Sequence, residues 1–149
     1  MLIVVAALVL IFLLVLSERE EGKRILYFAY GSNTNDRFFK KRIPSAVYKG
    51  TATLYDHTVQ MHRHATLVPS KGSSVKGVVW SLFPSELFVL DDIEEDYTRK
   101  TVTIVTNRSK KAQTYFMNVL EKGVPSEEYA EIVEKGYKKH GLSMEQFSA

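Results

Sequence analysis

The chain has 149 residues, a length typical of one folded domain, and 45% of its residues are hydrophobic. It carries 20 basic and 17 acidic residues, and the formal net charge of +3 is too small to indicate a nucleic-acid-binding surface. There is no cysteine, which excludes a disulfide scaffold, a thiolate nucleophile, an iron–sulfur cluster and a cysteine zinc site.

The first sixteen residues, Met1–Leu16, are apolar without exception. As a helix they would extend for about 24 Å, which is marginal for a hydrocarbon core about 30 Å thick. No basic residue precedes this segment and no small-residue cleavage site follows it. We therefore favour an uncleaved membrane anchor over a signal peptide or a buried start segment. Arg19, Lys23 and Arg24 follow the segment, so the positive-inside rule predicts that the rest of the chain is cytoplasmic.

These patterns divide the chain into three parts: an apolar segment at 1–16, a charged linker at 17–24 and a folded domain at 25–149. The domain opens with a predicted buried strand, Arg24–Tyr30, and a turn, Gly31–Asn35. A short helix, Asp36–Lys41, follows, with Asn35 or Thr34 as its cap.

The remainder of the domain is predicted to be rich in strands. Strands are expected at Ala46–Leu54, His57–His62, Ala65–Val68, Ser74–Leu82, Thr98–Thr106 and Ala112–Val119, with a turn at Pro69–Gly72. One helix begins at Pro84, and another is capped by Ser126 and ended by Gly141. We expect an α+β fold with a mixed, largely closed, barrel-like sheet of about six strands and short surrounding helices.

Two groups of polar residues are interpreted as surface features. The basic residues of the first short helix, which we expect on a solvated face, are Arg37, Lys40, Lys41 and Arg42. The strand histidines, expected to be exposed, are His57, His62 and His64. Zinc needs three or four ligands, and Asp56 is the one carboxylate near these histidines in the sequence, so no metal site is predicted.

The turn after the first strand is the first candidate for ligand binding. Glycine allows the backbone to approach a ligand closely, and the N–H groups at the start of a helix bind anions and developing oxyanions. The turn Tyr30–Asn33 matches neither the Gly-x-x-x-x-Gly-Lys nor the Gly-x-Gly-x-x-Gly phosphate-binding pattern. From these residues alone, the segment could be either a plain tight turn or a ligand-binding loop.

Several motifs resemble those of the γ-glutamylcyclotransferase family, in order from about residue 25 to 147. Tyr27–Asn33 is similar to the family's signature strand and substrate loop, and Leu90-Asp91-x-x-Glu94 resembles the approach to its catalytic glutamate. The other matching segments are Ala65–Pro69, Val75–Trp80, Pro125–Tyr129 and Lys139–Leu142.

The resemblance implies a cofactor-free enzyme that converts small-molecule γ-glutamyl amino acids or amines to 5-oxoproline. It implies Glu94 as the general acid/base and a substrate contact for Tyr129, with Tyr115 as a candidate for the pocket wall. The residues expected to hold the γ-glutamyl head are Tyr27, Phe28, Ala29, Tyr30, Gly31, Ser32 and Asn33. Whether the donor is an amino acid, an amine or glutathione stays open, as does the oligomeric state.

Two departures from the family pattern put catalytic turnover in question. Glu95 stands where members usually have glycine, and the stretch between Leu54 and Ala65 is short. The alternative function is therefore a non-catalytic ligand-binding module of the same fold, held at a membrane.

The acidic run 91–96 offers a physical reason for a base at Glu94. We expect its carboxylate neighbours, together with partial burial, to raise the pKa of Glu94 toward working pH. The plainer alternative is that the run caps and solvates the turn between a helix and a strand.

Overall fold

The structure, a computed structural model, describes residues 1–21 and 23–148, with side chains for 1–15 and 23–147. The helices are α1 (Leu2–Glu21), α2 (Asp36–Arg42), α3 (Pro84–Ile93) and α4 (Glu127–His140). The strands are β1 (Ile25–Ala29), β2 (Val47–Met61), β3 (Ala65–Leu82), β4 (Tyr97–Val105) and β5 (Ser109–Met117). Short 3₁₀ turns lie at Ser32–Thr34 and Met144–Ser148.

The five strands close into a barrel in the order β1-β3-β2-β4-β5, which confirms the predicted α+β barrel-like fold. About six strands were expected, and the difference arises because predicted neighbours merge. The strands predicted at Ala46–Leu54 and His57–His62 form one continuous strand, β2, in which Asp56 adopts a positive φ of 60°. The predicted turn at Pro69–Gly72 is instead a bulge inside β3, held by a hydrogen bond of 3.0 Å from the Gly72 N–H to Asp56 Oδ1.

The ladders of the barrel differ greatly in extent. β2 and β3 form a long antiparallel pair, as do β4 and β5. Within the described part of the chain, β2 meets β4 at the single pair Thr53↔Val105, and β1 meets β5 in parallel at Tyr27↔Gln113. The barrel therefore consists of a three-stranded sheet and a two-stranded hairpin joined along two short seams.

Alternate residues of β1, together with Tyr30, which directly follows it, enter two different hydrophobic layers, as the period of a strand dictates. Phe28 and Tyr30 belong to the cluster that also contains Val59 and Ile104, inside the barrel. Tyr27 and Ala29 pack on the other face with residues of the helices. The buried members of that outer cluster include Phe39, Trp80, Leu87, Leu90, Val133 and Tyr137. The turn that follows β1 is thus supported on both sides.

Helix α4 lies directly against this turn. A Cβ atom at Gly136 would come within 2.7 Å of the Asn35 nitrogen, so glycine is required for the close approach. Local capping agrees with the sequence: the Ser126 side chain accepts from Tyr129 N, and Gly141 ends the helix in the left-handed conformation. The Asn35 side chain caps α2, as predicted.

Helix α1 precedes the barrel and exposes its described side chains. Every side chain from Met1 to Val15 is exposed, and none belongs to either hydrophobic cluster. In the parts of the chain that are described, no helix has both the length and the apolar character needed to cross a membrane. Residues 17–21 of the predicted linker continue α1, and Gly22 lies outside the described residues.

Candidate active site

The turn after β1 is fixed by hydrogen bonds to its own carbonyl groups. Thr34 Oγ1 donates to the Gly31 carbonyl at 2.7 Å, and the buried Trp80 indole donates to the Asn33 carbonyl at 2.8 Å. A side chain at Gly31 would approach the Tyr129 hydroxyl to 3.1 Å, so glycine keeps this space open. The turn is a rigid wall with little bulk, which suits close approach by a ligand.

Glu94 lies opposite this turn, immediately after α3. Its N–H donates to the Leu90 carbonyl at 2.9 Å and its carbonyl accepts from Tyr97 N at 3.0 Å, so its backbone is held on both sides. The side chain is 18% exposed. Its Oε1 accepts hydrogen bonds of 3.3 Å each from Asn33 Nδ2 and Arg42 Nη1.

Burial raises the pKa of the Glu94 carboxyl above its ordinary value, and the nearby Arg42, Asn33 and His64 only partly oppose this. The predicted direction is therefore right, but crowding by the acidic run is not its main cause. Asp91 turns away to accept from Arg99 Nε at 2.8 Å. Burial raises the pKa of Asp91, but hydrogen bonds from Arg99 and Tyr115 outweigh it and hold the pKa below its usual range.

Tyrosines form most of the remaining wall, and their hydroxyl groups are held in defined directions. Tyr27 Oη accepts from Asn33 Nδ2 at 2.9 Å. Tyr97 donates to the Ala65 carbonyl at 2.8 Å, while the Ala65 N–H donates to Tyr129 Oη at 3.0 Å. Burial is the largest cause that raises the pKa of Tyr27, Tyr97 and Tyr129, so all three stay neutral phenols at neutral pH.

The side chains enclose a cavity of about 210 Å³. This is smaller than the roughly 300–1,000 Å³ of pockets for drug-sized ligands, and it suits a small molecule. The carboxylates that line it are those of Glu94, Glu95, Asp96 and Glu121, whereas Arg42 and His64 supply the basic side chains. Among the described residues, no group of three or more His, Cys, Asp or Glu side chains is arranged to hold a metal ion.

Most of the predicted site residues meet at this cavity. Those that line it are Tyr27, Tyr30, Gly31, Ser32, Asn33, Glu94, Tyr115 and Tyr129. Phe28 and Ala29 do not: both are fully buried in β1, one in each hydrophobic cluster. Their expected contact with substrate finds no support in the geometry.

Arg42 was predicted on a solvated helix face, and this prediction is wrong. Its guanidinium lies 4.3 Å from the centre of the Phe38 ring and pairs with Glu94 inside the cavity. The signal that could have placed it is helical spacing, because Arg42 follows the buried Phe39 by three positions. Tyr97, at the start of β4, also lines the cavity and was not among the predicted site residues. The other lining residues outside that prediction are Phe38, His64, Ala65, Ile93, Glu95, Asp96 and Glu121.

A closed α+β barrel with a buried carboxylate facing a glycine-containing turn defines a small-molecule site suited to acid–base chemistry. The chain belongs to the family described as gamma-glutamyl cyclotransferase, AIG2-like, whose profile matches residues 27–138.

Known proteins similar to the chain agree with this assignment. It is 33% identical to bovine gamma-glutamylcyclotransferase over 144 residues, covering 85% of this chain and 77% of the relative. It is also 33% identical to the human gamma-glutamylcyclotransferase over 143 residues, covering 84% and 76% of the two chains. A solved structure of a gamma-glutamyl cyclotransferase superposes with a TM-score of 0.77 at 30% identity, covering 84% of this chain and 85% of that one.

Proposed function

We propose that the chain is a γ-glutamylcyclotransferase, which releases 5-oxoproline and a free amine from γ-glutamyl amino acids or amines. The observation that carries this proposal is the buried carboxylate of Glu94, with its raised pKa, beside the turn Tyr30–Asn33. The similarity to named γ-glutamylcyclotransferases supports the same reading.

The reaction needs little more than a folded substrate and a proton carrier. Glu94 takes a proton from the α-ammonium group, and the freed nitrogen attacks the γ-carbonyl carbon within the same molecule. A carbon–nitrogen bond closes the five-membered ring in a tetrahedral intermediate, and Glu94 passes its proton to the leaving nitrogen. The original amide bond then breaks as the carbonyl re-forms. The ring nitrogen gives up its second proton to the Glu94 carboxylate, from which that proton passes to the released amine or to solvent. Intramolecular attack supplies a large effective molarity, so no nucleophile of the protein takes part.

The turn after β1 has the components needed to hold the γ-glutamyl head. The backbone N–H groups at Gly31–Asn33 are the candidates for stabilising the negative charge that develops on the γ-carbonyl oxygen. Tyr129 and Tyr115 complete the wall from α4 and β5 as neutral side chains. No cofactor enters this scheme.

The direct test is incubation of the purified full chain with a panel of donors and measurement of 5-oxoproline. The panel contains a γ-glutamyl amino acid, a γ-glutamyl amine and glutathione, which also decides the class of donor. Binding of these donors without release of 5-oxoproline would instead establish the non-catalytic binding module.

We also propose that α1 attaches the domain to a lipid surface. The supporting observation is the run of exposed apolar side chains from Met1 to Val15, which would be costly to keep in water. Placement of the domain on the cytoplasmic side stays a prediction from Arg19, Lys23 and Arg24.

Flotation with phosphatidylcholine vesicles tests this attachment. The full chain is expected to float with the vesicles, and a matched variant lacking 1–16 is expected to stay behind while keeping its melting temperature and 5-oxoproline release. Self-association of the full chain without vesicle binding would contradict a lipid role for α1.

A further inference from the structure

The hydrogen bonds to Glu94 distinguish its two carboxylate oxygens. Asn33 and Arg42 both donate to Oε1, each at 3.3 Å. Among the described residues, none donates a hydrogen bond to Oε2. A carboxylate held in this way presents one anchored oxygen and one oxygen free for proton exchange.

Both donor side chains make a second contact in addition to their hydrogen bond with Glu94. Asn33 is 4% exposed, and its Nδ2 also donates to Tyr27 Oη at 2.9 Å. The Arg42 guanidinium lies over the Phe38 ring, one helical turn earlier on α2. The Arg42 side chain is 28% exposed, so the pair with Glu94 is partly shielded from solvent. Each donor therefore has a second contact besides Glu94, and neither is fully exposed.

On the basis of the function proposed above, we propose that Arg42 is a positioning residue that anchors Glu94 Oε1, so that Oε2 carries the proton between the two nitrogen atoms. Asn33 shares this role through its amide. A fixed carboxylate matters because the same group must first accept a proton from the α-nitrogen and then deliver it to the leaving nitrogen.

The electrostatics at Glu94 agree with this arrangement. Burial raises the pKa of Glu94, and Arg42 is the largest opposing influence. The ionisable groups that share the cavity with Glu94 come from several elements: Arg42 from α2, Tyr27 and Tyr30 at β1, His64 before β3, Glu95 and Asp96 after α3, Tyr97 from β4, Tyr115 from β5, Glu121 after β5 and Tyr129 from α4. Removal of the Arg42 charge is therefore expected to raise the pKa of Glu94 further.

The test compares Arg42→Gln and Arg42→Lys with Lys41→Gln, an exposed neighbour on the same helix that does not line the cavity. Arg42→Gln is expected to lower kcat by about 10²-fold, the scale of a misplaced reacting group, with little change in KM. It is also expected to move the acid limb of the kcat/KM profile to higher pH. Arg42→Lys should keep the acid limb near that of the wild type but recover only part of kcat, and Lys41→Gln should change neither.

A rise in KM with unchanged kcat would overturn the proposal, because Arg42 would then bind substrate rather than position Glu94. An acid limb that does not move in Arg42→Gln would overturn it as well. Titration of the Glu94 carboxyl by carbon NMR does not depend on turnover. The pKa of Glu94 is expected to be higher in Arg42→Gln than in the wild type and close to the wild-type value in Arg42→Lys, and an unchanged pKa in Arg42→Gln would overturn the proposal. If the wild type releases no 5-oxoproline, the proposed function fails, while the NMR titration of Arg42→Gln against wild type still tests the contact.

Discussion

The substitution Glu94→Gln separates proton transfer from every other contribution of this side chain. Glutamine has the same size, and its carbonyl oxygen can still accept from Asn33 and Arg42, but it cannot take a proton from the α-ammonium group. The loss of general acid–base catalysis is typically worth about 10²–10⁴-fold. At about 1.36 kcal/mol for each factor of ten, this corresponds to roughly 3–5 kcal/mol of the activation barrier.

The same substitution should not lower the stability of the folded protein. Glu94 is largely buried, and its pKa is raised, so the ionised form is disfavoured in the folded state. A raised pKa means that the contribution of Glu94 to stability is fully present below the ordinary glutamate pKa and is lost as pH rises through the folded pKa. Glu94→Gln is therefore expected to melt at neutral pH no lower than the wild type.

The assay follows 5-oxoproline release at saturating and low donor concentration, with thermal melts of the same samples. Glu95→Gln is the matched control, because it removes one charge from the adjacent, exposed position. The wild-type kcat/KM is expected to rise with pH through an acid limb above the ordinary glutamate pKa, and this limb should be unchanged in Glu95→Gln. Equal losses in both variants, or undiminished activity in Glu94→Gln, would refute the assignment of the base.

Glu95→Gly, which restores the usual family residue, adds a further comparison. A rise in turnover would show that Glu95 hinders an otherwise competent enzyme.

Two further predictions concern the supports of the site. Gly136→Ala places a Cβ within 2.7 Å of Asn35 N, so it should lower the free energy of unfolding by about 1–3 kcal/mol. Denaturant titration measures this loss. Unchanged stability and activity would show that α4 does not need glycine at this position. Burial raises the pKa of Asp36, but hydrogen bonds of 2.6 Å from Lys139 and His140 outweigh it and lower the pKa. Its stabilising effect is thus present above the ordinary aspartate pKa and is lost as pH falls through the folded pKa, so Asp36→Asn should melt lower than wild type at neutral pH and match it in acid.

Sequence reasoning succeeded where the determining contacts are local. The caps Asn35 and Ser126 bond to residues three positions ahead, and Gly141 needs only its own left-handed conformation. The position of Glu94 followed from the motif that resembles the family's approach to its catalytic residue.

The failures involve contacts between distant parts of the chain. Arg42 reaches Glu94 across 52 positions of sequence, and its surroundings depend on where α2 and α3 end relative to one another. The bulge in β3 is held by Asp56 on the neighbouring strand, sixteen residues away. A count of neighbouring charges likewise could not show that Asp91 faces Arg99 rather than Glu94.

The two short seams of the barrel have a consequence for how the candidate site is assembled. The turn after β1 belongs to the three-stranded sheet, while Tyr97 and Tyr115 belong to the β4–β5 hairpin, joined to that sheet at Thr53↔Val105 and Tyr27↔Gln113. Side-chain hydrogen bonds from Thr114 to the Phe28 carbonyl and from Tyr30 to the Tyr115 carbonyl brace the second seam. Native-state hydrogen exchange along the β2–β4 seam should therefore detect sub-global openings that separate the cavity walls while each ladder remains intact.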